Sequence, residues 1–338
     1  MSTSMKKNIK QFITSPTFLL FLIFIALNVY FSLATNRFFR VNNYVNIIKQ
    51  STMIMIVGCG ATFLMMTESL DLSVGSNLAL TNIVYTFLAV FGIPFLGIAP
   101  MPLLLAGGIV ILIGAAIGLI NGILITRFKF EPFIATLALL YIGRGLALAT
   151  VDGQSIRTGI PDGFGSIGND ELFGIPYLFI IVFFIVVSFM LLERKSVLGK
   201  HAVAIGANRN AAFFSGINVD RVIMGLYIMT GVLAGLAGIL TASRFQFGDP
   251  RTGVGFEFNV LIAVLLGGTP LSGGKGTIFG TMIGALIVAV LGNGLNAMDV
   301  VRFWQTVFQG IILIGAIIFH SQMKSRGRAK LLAAGTRG

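Results

Sequence analysis

The residues of this sequence that could carry catalytic chemistry are few and lie far apart. The two histidines are His201 and His320, and Cys59 is the only cysteine. A lone cysteine excludes an intramolecular disulfide and a cysteine-rich metal site. The sequence patterns of zinc proteases and of serine hydrolases are both missing. We therefore predict no catalytic residue, no metal and no cofactor, and the chain is not expected to be an enzyme.

One glycine-rich stretch, GTPLSGGKG at Gly268–Gly276, superficially resembles a phosphate-binding loop. A phosphate loop needs glycine five residues before the Gly-Lys pair and serine or threonine after the lysine. Here Thr269 and Gly276 occupy those two positions, and apolar runs lie on both sides. The sequence therefore predicts no ATP site in this chain.

Two acidic residues, Glu68 and Asp71, lie close to apolar runs in the polar stretch TESLDLSVGS, whereas most other carboxylates fall in predicted loops. Ion-coupled transporters place carboxylates inside their spans, so one interpretation is a proton or sodium site. The other is structural: Asp71 caps the helix that follows, and Ser73 offers a second oxygen at its N-terminus. The sequence leaves both open.

The composition predicts which type of secondary structure contains these residues. The chain has 338 residues, of which 56% are hydrophobic and 11% charged, and the mean hydropathy is +0.93. A soluble domain carries about 25% charged residues. We predict an all-α, polytopic membrane helical bundle with about ten transmembrane helices, eight or nine being the alternatives, because a spanning helix needs about 20 apolar residues. The ten runs are Phe18–Ala34, Ser51–Thr67, Val74–Gly92, Met101–Ile125, Pro132–Thr150, Ile175–Leu192, Val222–Ala242, Phe258–Thr269, Thr277–Gly292 and Phe303–Phe319.

The distribution of basic residues predicts the orientation. With ten spans, 16 of the 24 Lys and Arg fall on one side, which the positive-inside rule makes cytoplasmic, together with both termini. The predicted organisation is a cytoplasmic tail at 1–16, a membrane domain at 17–320 and a basic cytoplasmic tail at 321–338. Topology accounts for the net charge of +12, and the basic tail suits anionic membrane lipid, so nucleic acid is not an expected partner.

A polar, basic segment at 194–221 separates two of the predicted spans. Within it, Asn208 is suited to cap a short helix, Ala211–Phe214 to form its body, and Gly216 to end it in the left-handed conformation. A capped helix on the cytoplasmic side of a membrane protein indicates a docking element, and an ordinary linker is the alternative.

Several stretches resemble signatures of the monosaccharide-type ABC importer permeases, which include ribose, xylose, galactose and autoinducer-2 permeases. The resemblance runs from about residue 45 to 320, and its most specific part is AIGANRNAAFFSGINVDRV at 204–222. Glu68-Ser69 departs from the Gly-Ile that the family more often shows there. The other matching stretches are LDLSVGS at 70–76, RGLALAT at 144–150, GFGSIG at 163–168, GVLAGLAGIL at 231–240 and GGTPLSGGKGTIFGTMIGA at 267–285.

The resemblance implies a multi-pass protein of the bacterial inner membrane that works with partners. These would be a cytoplasmic ABC ATPase, an extracytoplasmic sugar-binding protein and a second permease copy or related permease. It also makes the short helix the coupling helix, with Ala211 and Ala212 permitting close approach to the ATPase. Phe213 and Phe214 would either anchor there or face the membrane. The implied coupling residues are Gly206, Asn208, Ala211, Ala212, Phe213, Phe214 and Gly216.

Two further sets of residues follow from this interpretation. Charged groups of the predicted outer loops would dock the binding protein or simply be solvated: Asp162, Asp170, Glu171, Arg244 and Arg251. Polar groups in or beside the spans would line the translocation path or, alternatively, join helices: Asn77, Asn82, Asn121, Asn293, Asn296, Trp304 and Gln305.

We therefore expect the transmembrane permease subunit of an ABC importer for a monosaccharide or similar small polar solute. An ABC permease for branched-chain amino acids or nucleosides is one alternative. An ion-coupled secondary transporter that works without an ATPase is the other.

Overall fold

The computed structural model describes residues 16–335, which form thirteen α-helices, a 3-10 turn and one small hairpin. Of the predicted N-terminal tail at 1–16 the structure describes only Pro16, whereas residues 321–335 of the predicted tail at 321–338 continue the last helix. The helices are α1 (Pro16–Ala34), α2 (Val41–Met66), α3 (Val74–Phe91), α4 (Leu103–Thr126), α5 (Pro132–Ala149), α6 (Ser166–Asn169), α7 (Tyr177–Lys195), α8 (Val197–Ala207), α9 (Arg209–Phe214), α10 (Val219–Phe245), α11 (Phe256–Leu266), α12 (Ile278–Ala297) and α13 (Arg302–Gly335). The hairpin pairs β1 (Glu171–Leu172) with β2 (Ile175–Pro176) in antiparallel register.

Seven of the described helices are long and apolar enough to cross a membrane: α2, α3, α4, α5, α7, α10 and α12. The remaining three predicted spans correspond to α1, α11 and α13, whose described apolar stretches are shorter. Each of the ten predicted runs thus overlaps one helix. The structure confirms a helical, polytopic membrane protein, while the ten crossings and the cytoplasmic termini stay predictions.

Burial divides the long helices into a centre and a periphery. The most apolar window of α2 is 83% buried and that of α3 is 78% buried. The corresponding windows of α4 and α5 are each only 28% buried, and that of α7 is 17% buried. A helix that is apolar all round but mostly exposed is suited to lipid contact. We infer that α2 and α3 form the centre of the bundle.

Glycine allows the closest helix contact, between α4 and α10. A Cβ on Gly114 would lie 2.6 Å from the carbonyl oxygen of Gly231, and one on Gly118 would collide with the carbonyl oxygen of Tyr227. On α12, a Cβ on Gly284 would likewise collide with the carbonyl oxygen of Ala263. At both places the missing side chain lets two backbones approach closely, in the way that membrane helices favour.

The chain is non-helical at two places inside the bundle. Residues 67–73 separate α2 from α3, and residues 246–255 separate α10 from α11. In the first break, Asp71 Oδ1 accepts hydrogen bonds from Ser73 N at 2.8 Å and from Ser73 Oγ at 2.6 Å. Asn121 Nδ2 donates to Ser73 Oγ at 2.9 Å. Asp71 thus fixes the turn before α3, but it does not cap the helix: Ser73 occupies the N-cap position and makes no side-chain cap hydrogen bond.

Candidate functional site

A polar cavity of about 270 Å³ lies between α2, α11, α12 and α13. Its polar side chains come from helices that are otherwise strongly apolar. On α13 they recur at spacings of three and four residues, which places them on one face of that helix. The polar lining residues are Gln50, Asn259, Asn296, Arg302, Gln305, Thr306 and Gln309, and the apolar ones include Ile54, Val254 and Val288.

The amide groups of this cavity are only partly satisfied by the protein itself. Gln305 Nε2 donates to Asn296 Oδ1 at 2.7 Å and to the carbonyl oxygen of Val300 at 2.8 Å, which fixes α13 against the end of α12. In contrast, Asn259 Oδ1 is buried without a hydrogen-bond partner. An unpaired buried acceptor costs about 1–3 kcal/mol. A hydroxyl or amine of a bound solute would supply the missing donor.

The structure separates the seven predicted path residues into groups. Asn296 and Gln305 line the cavity, and Asn293 lies on α12 next to the lining residue Gly292. Trp304 is exposed beside the cavity and does not line it.

The remaining three predicted path residues are completely buried elsewhere. Asn77 Nδ2 donates to the carbonyl oxygens of Gly114 and Gly231, at 3.3 and 3.2 Å. Asn82 Nδ2 donates to the carbonyl oxygen of Gly238, and Asn121 to Ser73. These bonds fit the alternative function of joining helices.

Four amide and hydroxyl residues that line the cavity were not among the predicted path residues, namely Gln50, Asn259, Thr306 and Gln309. Gln305 and Gln309 are four residues apart on an apolar helix, which is a signal that a helical plot would have shown. Asn259 gave no such signal, because its role depends on the non-helical segment that precedes α11.

Segment 194–221 contains the predicted short helix, α9. Asn208 Oδ1 accepts from Ala211 N at 2.9 Å, and Gly216 has a φ of +85° at the end of the helix. The predicted cap and terminator are thus confirmed. A second helix, α8, was not predicted; it begins at Ser196, whose hydroxyl accepts from Gly199 N at 3.2 Å.

Exposure divides the predicted coupling residues. Ala211 is exposed, Phe213 is 65% exposed and Phe214 is 86% exposed. Ala212 is only 4% exposed and belongs to the main hydrophobic core, so it holds α9 onto the protein rather than facing outward. The expectation that both alanines permit approach of a partner stays a prediction for Ala211 but is wrong for Ala212, because consecutive helix residues point about 100° apart and Ala212 faces the core.

Gly206, at the end of α8, joins segment 194–221 to the bundle. A Cβ at this position would collide with the carbonyl oxygen of Met66 and the amide nitrogen of Gly274. The amide of Gly274 in turn donates to the carbonyl oxygen of Met66 at 2.9 Å. Backbone from α2, from α8 and from the loop between α11 and α12 therefore meets at one point, which only glycine permits.

A larger cavity, of about 720 Å³, lies beside α9. Its walls include Phe130, Phe213 and a charged group in which Asp220 contacts Lys129 Nζ at 2.8 Å and Arg209 Nη2 at 3.5 Å. All three charged side chains are about half exposed, so each pair stabilises the fold by no more than about 1 kcal/mol. Apolar and charged side chains therefore share the walls of this cavity.

The candidate docking residues lie between α5 and α7, or at and beyond the C-terminal end of α10. Asp162, Asp170, Glu171 and Arg251 are exposed, while the Arg244 guanidinium lies half-buried with its Cζ 5.3 Å from the Phe245 ring centroid. Asn169 Nδ2 donates to the carbonyl oxygens of Ser243 and Arg244, which fixes the loop onto α10. The tip of the β1–β2 hairpin adds Phe173, which is 96% exposed and was not predicted.

Metal chemistry finds no support at these places. Among residues whose side chains are described, no group of three or more His, Cys, Asp or Glu is arranged to hold a metal ion.

Comparison with known proteins gives a family match over most of the chain. Residues 43–317 match the family described as branched-chain amino acid transport system, permease component. The chain is similar to the ribose import permease protein RbsC of Haemophilus influenzae, at 34% identity over 88% of this chain and 91% of the relative.

Two further relatives carry related names. The ribose import permease protein RbsC of Bacillus subtilis is 39% identical, over 85% of this chain and 87% of the relative. The L-arabinose ABC transporter permease protein AraH of Azospirillum brasilense is 34% identical, over 91% of this chain and 88% of the relative. No solved structure matches the chain significantly.

Proposed function

Because this chain belongs to the family of branched-chain amino acid transport system permease components, we propose that it is the membrane permease subunit of an ABC importer for a monosaccharide. Its polar cavity is the substrate path, and α9 is the contact with a separate cytoplasmic ATPase. The family description mentions amino acids, but the named relatives transport ribose and L-arabinose, which supports a sugar.

The observation that carries this proposal is the connection that α8 makes between α9 and the cavity. Gly206 contacts Met66 at the end of α2, and α2 carries Gln50 and Ile54 of the cavity wall. These residues lie 16 and 12 positions from Met66, or about 24 and 18 Å along the helix. Gly206 also contacts Gly274 in the loop that joins α11 and α12, which both line the cavity. A rigid movement of α8 and α9 therefore reaches three of the four helices around the cavity.

The chemistry of the cavity suits a sugar. Amide and hydroxyl side chains offer donors and acceptors to sugar hydroxyls without the fixed charge that an amino acid's ammonium and carboxylate would require. Arg302 is exposed at the edge, and no acidic residue is among the lining residues. A permease must also release its solute, and a few neutral hydrogen bonds of about 0.5–1.5 kcal/mol each permit that.

The remaining parts of the assembly follow from the same proposal. An extracytoplasmic sugar-binding protein docks on Asp162, Asp170, Glu171, Arg244 and Arg251 beside Phe173, and this mixed charge suits transient docking. A second permease copy or a related permease closes the open side of the cavity. The chain crosses the bacterial inner membrane ten times with both termini in the cytoplasm, as the basic residues favour.

The path assignment is tested with Asn259→Ala and Gln305→Ala in proteoliposomes that contain the permease with its ATPase and binding protein. Each variant removes one hydrogen-bonding group from the cavity, so the half-saturating sugar concentration should rise about two- to tenfold or the maximal uptake rate should fall by that factor. Radiolabelled ribose, arabinose and allose are the probes.

The matched control is Asn42→Ala, which removes an exposed amide of α2 outside the cavity. It should leave uptake unchanged. If both cavity variants behave like this control for every sugar that the permease transports, the cavity is not the path.

A further inference from the structure

The non-helical segment 246–255 runs along α3 in the opposite direction. Near one end of α3, Gly248 packs on the Thr86 side chain, where a Cβ would lie 2.7 Å from Thr86 Cβ. Further along, Asp249 N donates to Asn82 Oδ1 at 3.0 Å. At the N-terminal end of α3, a Cβ on Gly253 would lie 2.8 Å from the carbonyl oxygen of Gly75. The segment thus follows α3 for about 16 Å.

One cation holds this segment in place. Arg144 lies on α5, a helix of membrane-spanning length, and its Nη1 donates to the carbonyl oxygens of Pro250 at 2.9 Å and Thr252 at 2.7 Å. Its Nη2 donates to the carbonyl oxygen of Gly75 at 3.4 Å. Charged side chains within membrane spans are costly and mark functional positions, and backbone carbonyls are among their usual partners. The planar guanidinium can bridge two segments at once in a way that an ammonium cannot.

The segment that Arg144 holds leads directly into the cavity wall. Gly253 and Gly255 have φ values of +73° and +78°, and α11 begins at the next residue, Phe256. Val254 and Asn259 on either side of this turn both line the polar cavity. The opposite end of the segment is paired to the outer loop, because Ile156 and Gly248 exchange backbone hydrogen bonds of 2.9 and 3.1 Å.

We propose that Arg144 is a positioning residue for the substrate path, since it fixes segment 246–255 to α3 and α5 and thereby sets the place of Val254 and Asn259 in the cavity wall. The functional importance of this position rests on the cavity being the path. The same segment joins the outer loop to the cavity, so a binding protein that moves the loop also moves the wall.

The test compares Arg144→Gln and Arg144→Lys in the full permease with its ATPase and binding protein. Each is combined with Val254→Cys, which is suited to labelling because Val254 is 67% exposed whereas the native Cys59 is buried. Losing hydrogen bonds from a charged group should change the labelling rate of Val254→Cys with a polar maleimide by about tenfold in Arg144→Gln. Arg144→Lys should give an intermediate change in the labelling rate, because lysine keeps the positive charge but lacks the planar guanidinium with its two donating nitrogens.

Uptake provides the second readout. In Arg144→Gln the half-saturating sugar concentration should rise about tenfold. Thr150→Ala is the control at the C-terminal cap of α5, because the Thr150 hydroxyl bonds to Leu146 of that helix. It should alter neither labelling nor uptake.

Unchanged labelling of Val254→Cys in both arginine variants would overturn the proposal, even if uptake falls. If Arg144→Gln does not reach the membrane, Arg144→Lys decides by the same criterion. Altered labelling in the arginine variants would support the positioning of the segment even if uptake is normal. Normal uptake together with a null effect of Asn259→Ala on uptake would reject the cavity as the path. The positioning role of Arg144 and the path assignment therefore fail separately.

Discussion

Replacing Phe213 and Phe214 together with alanine is expected to abolish ATP-driven sugar uptake while the permease remains folded in the membrane. Both rings are exposed on α9 and contact each other at 5.7 Å between centroids. Exposed aromatic anchors that fill a partner's groove each contribute about 2 kcal/mol or more to binding, which is about 30-fold in affinity. Their loss should therefore detach the ATPase. The measurement is ATPase co-purification together with sugar uptake in proteoliposomes.

The matched control is Phe183→Ala with Phe184→Ala, an exposed aromatic pair on α7 that also packs edge to face. This pair lies on a helix suited to lipid contact, so both ATPase co-purification and uptake should be retained. Normal co-purification and uptake in the Phe213/Phe214 variant would remove the assignment of α9 as the coupling helix.

Gly118→Val is expected to destabilise the permease more than any other single change considered for α4. A Cβ at this position collides with the Tyr227 carbonyl oxygen and would lie 2.9 Å from Ile228 Cα, which are backbone atoms of α10 and cannot rotate away. Overpacking of this kind costs about 1–3 kcal/mol and sometimes more. The melting temperature of the detergent-solubilised protein should fall by about 5 °C or more.

Gly108→Val on the same helix serves as the control, because nothing lies within 4 Å of a Cβ there. Both variants introduce the same β-branched residue into α4, so propensity effects cancel in the comparison. Equal melting temperatures for the two variants would show that the α4–α10 contact is looser than the structure indicates.

Much of this fold follows from sequence because lipid imposes simple rules. An α-helix pairs all of its backbone hydrogen-bonding groups within one segment, as a bilayer requires. Apolar runs of the right length therefore predict where the helices lie. Asn208 and Gly216 predicted both ends of α9. Capping is a local property, and for that reason it can be read from neighbouring residues.

The cavity could not be predicted in the same way. Asn77 and Asn259 are both amides next to apolar runs, yet the first joins three helices and the second lines the cavity. The difference arises from segment 246–255, whose path along α3 depends on bonds to Asn82 and Arg144, far away in sequence. Similarly, the inward orientation of Ala212 depends on how α9 packs on the bundle.

We expect this chain to transport a sugar only when it is coupled to a separate ATPase. The most direct measurement is uptake of labelled ribose, arabinose and allose into proteoliposomes that contain the chain, with the co-purified ATPase and binding protein added or omitted. We expect uptake of at least one sugar, and this uptake should require ATP and both partners. It should be lost in the Phe213/Phe214 double alanine variant. Uptake by the chain alone, driven by a proton or sodium gradient and lost in Asp71→Asn, would contradict it.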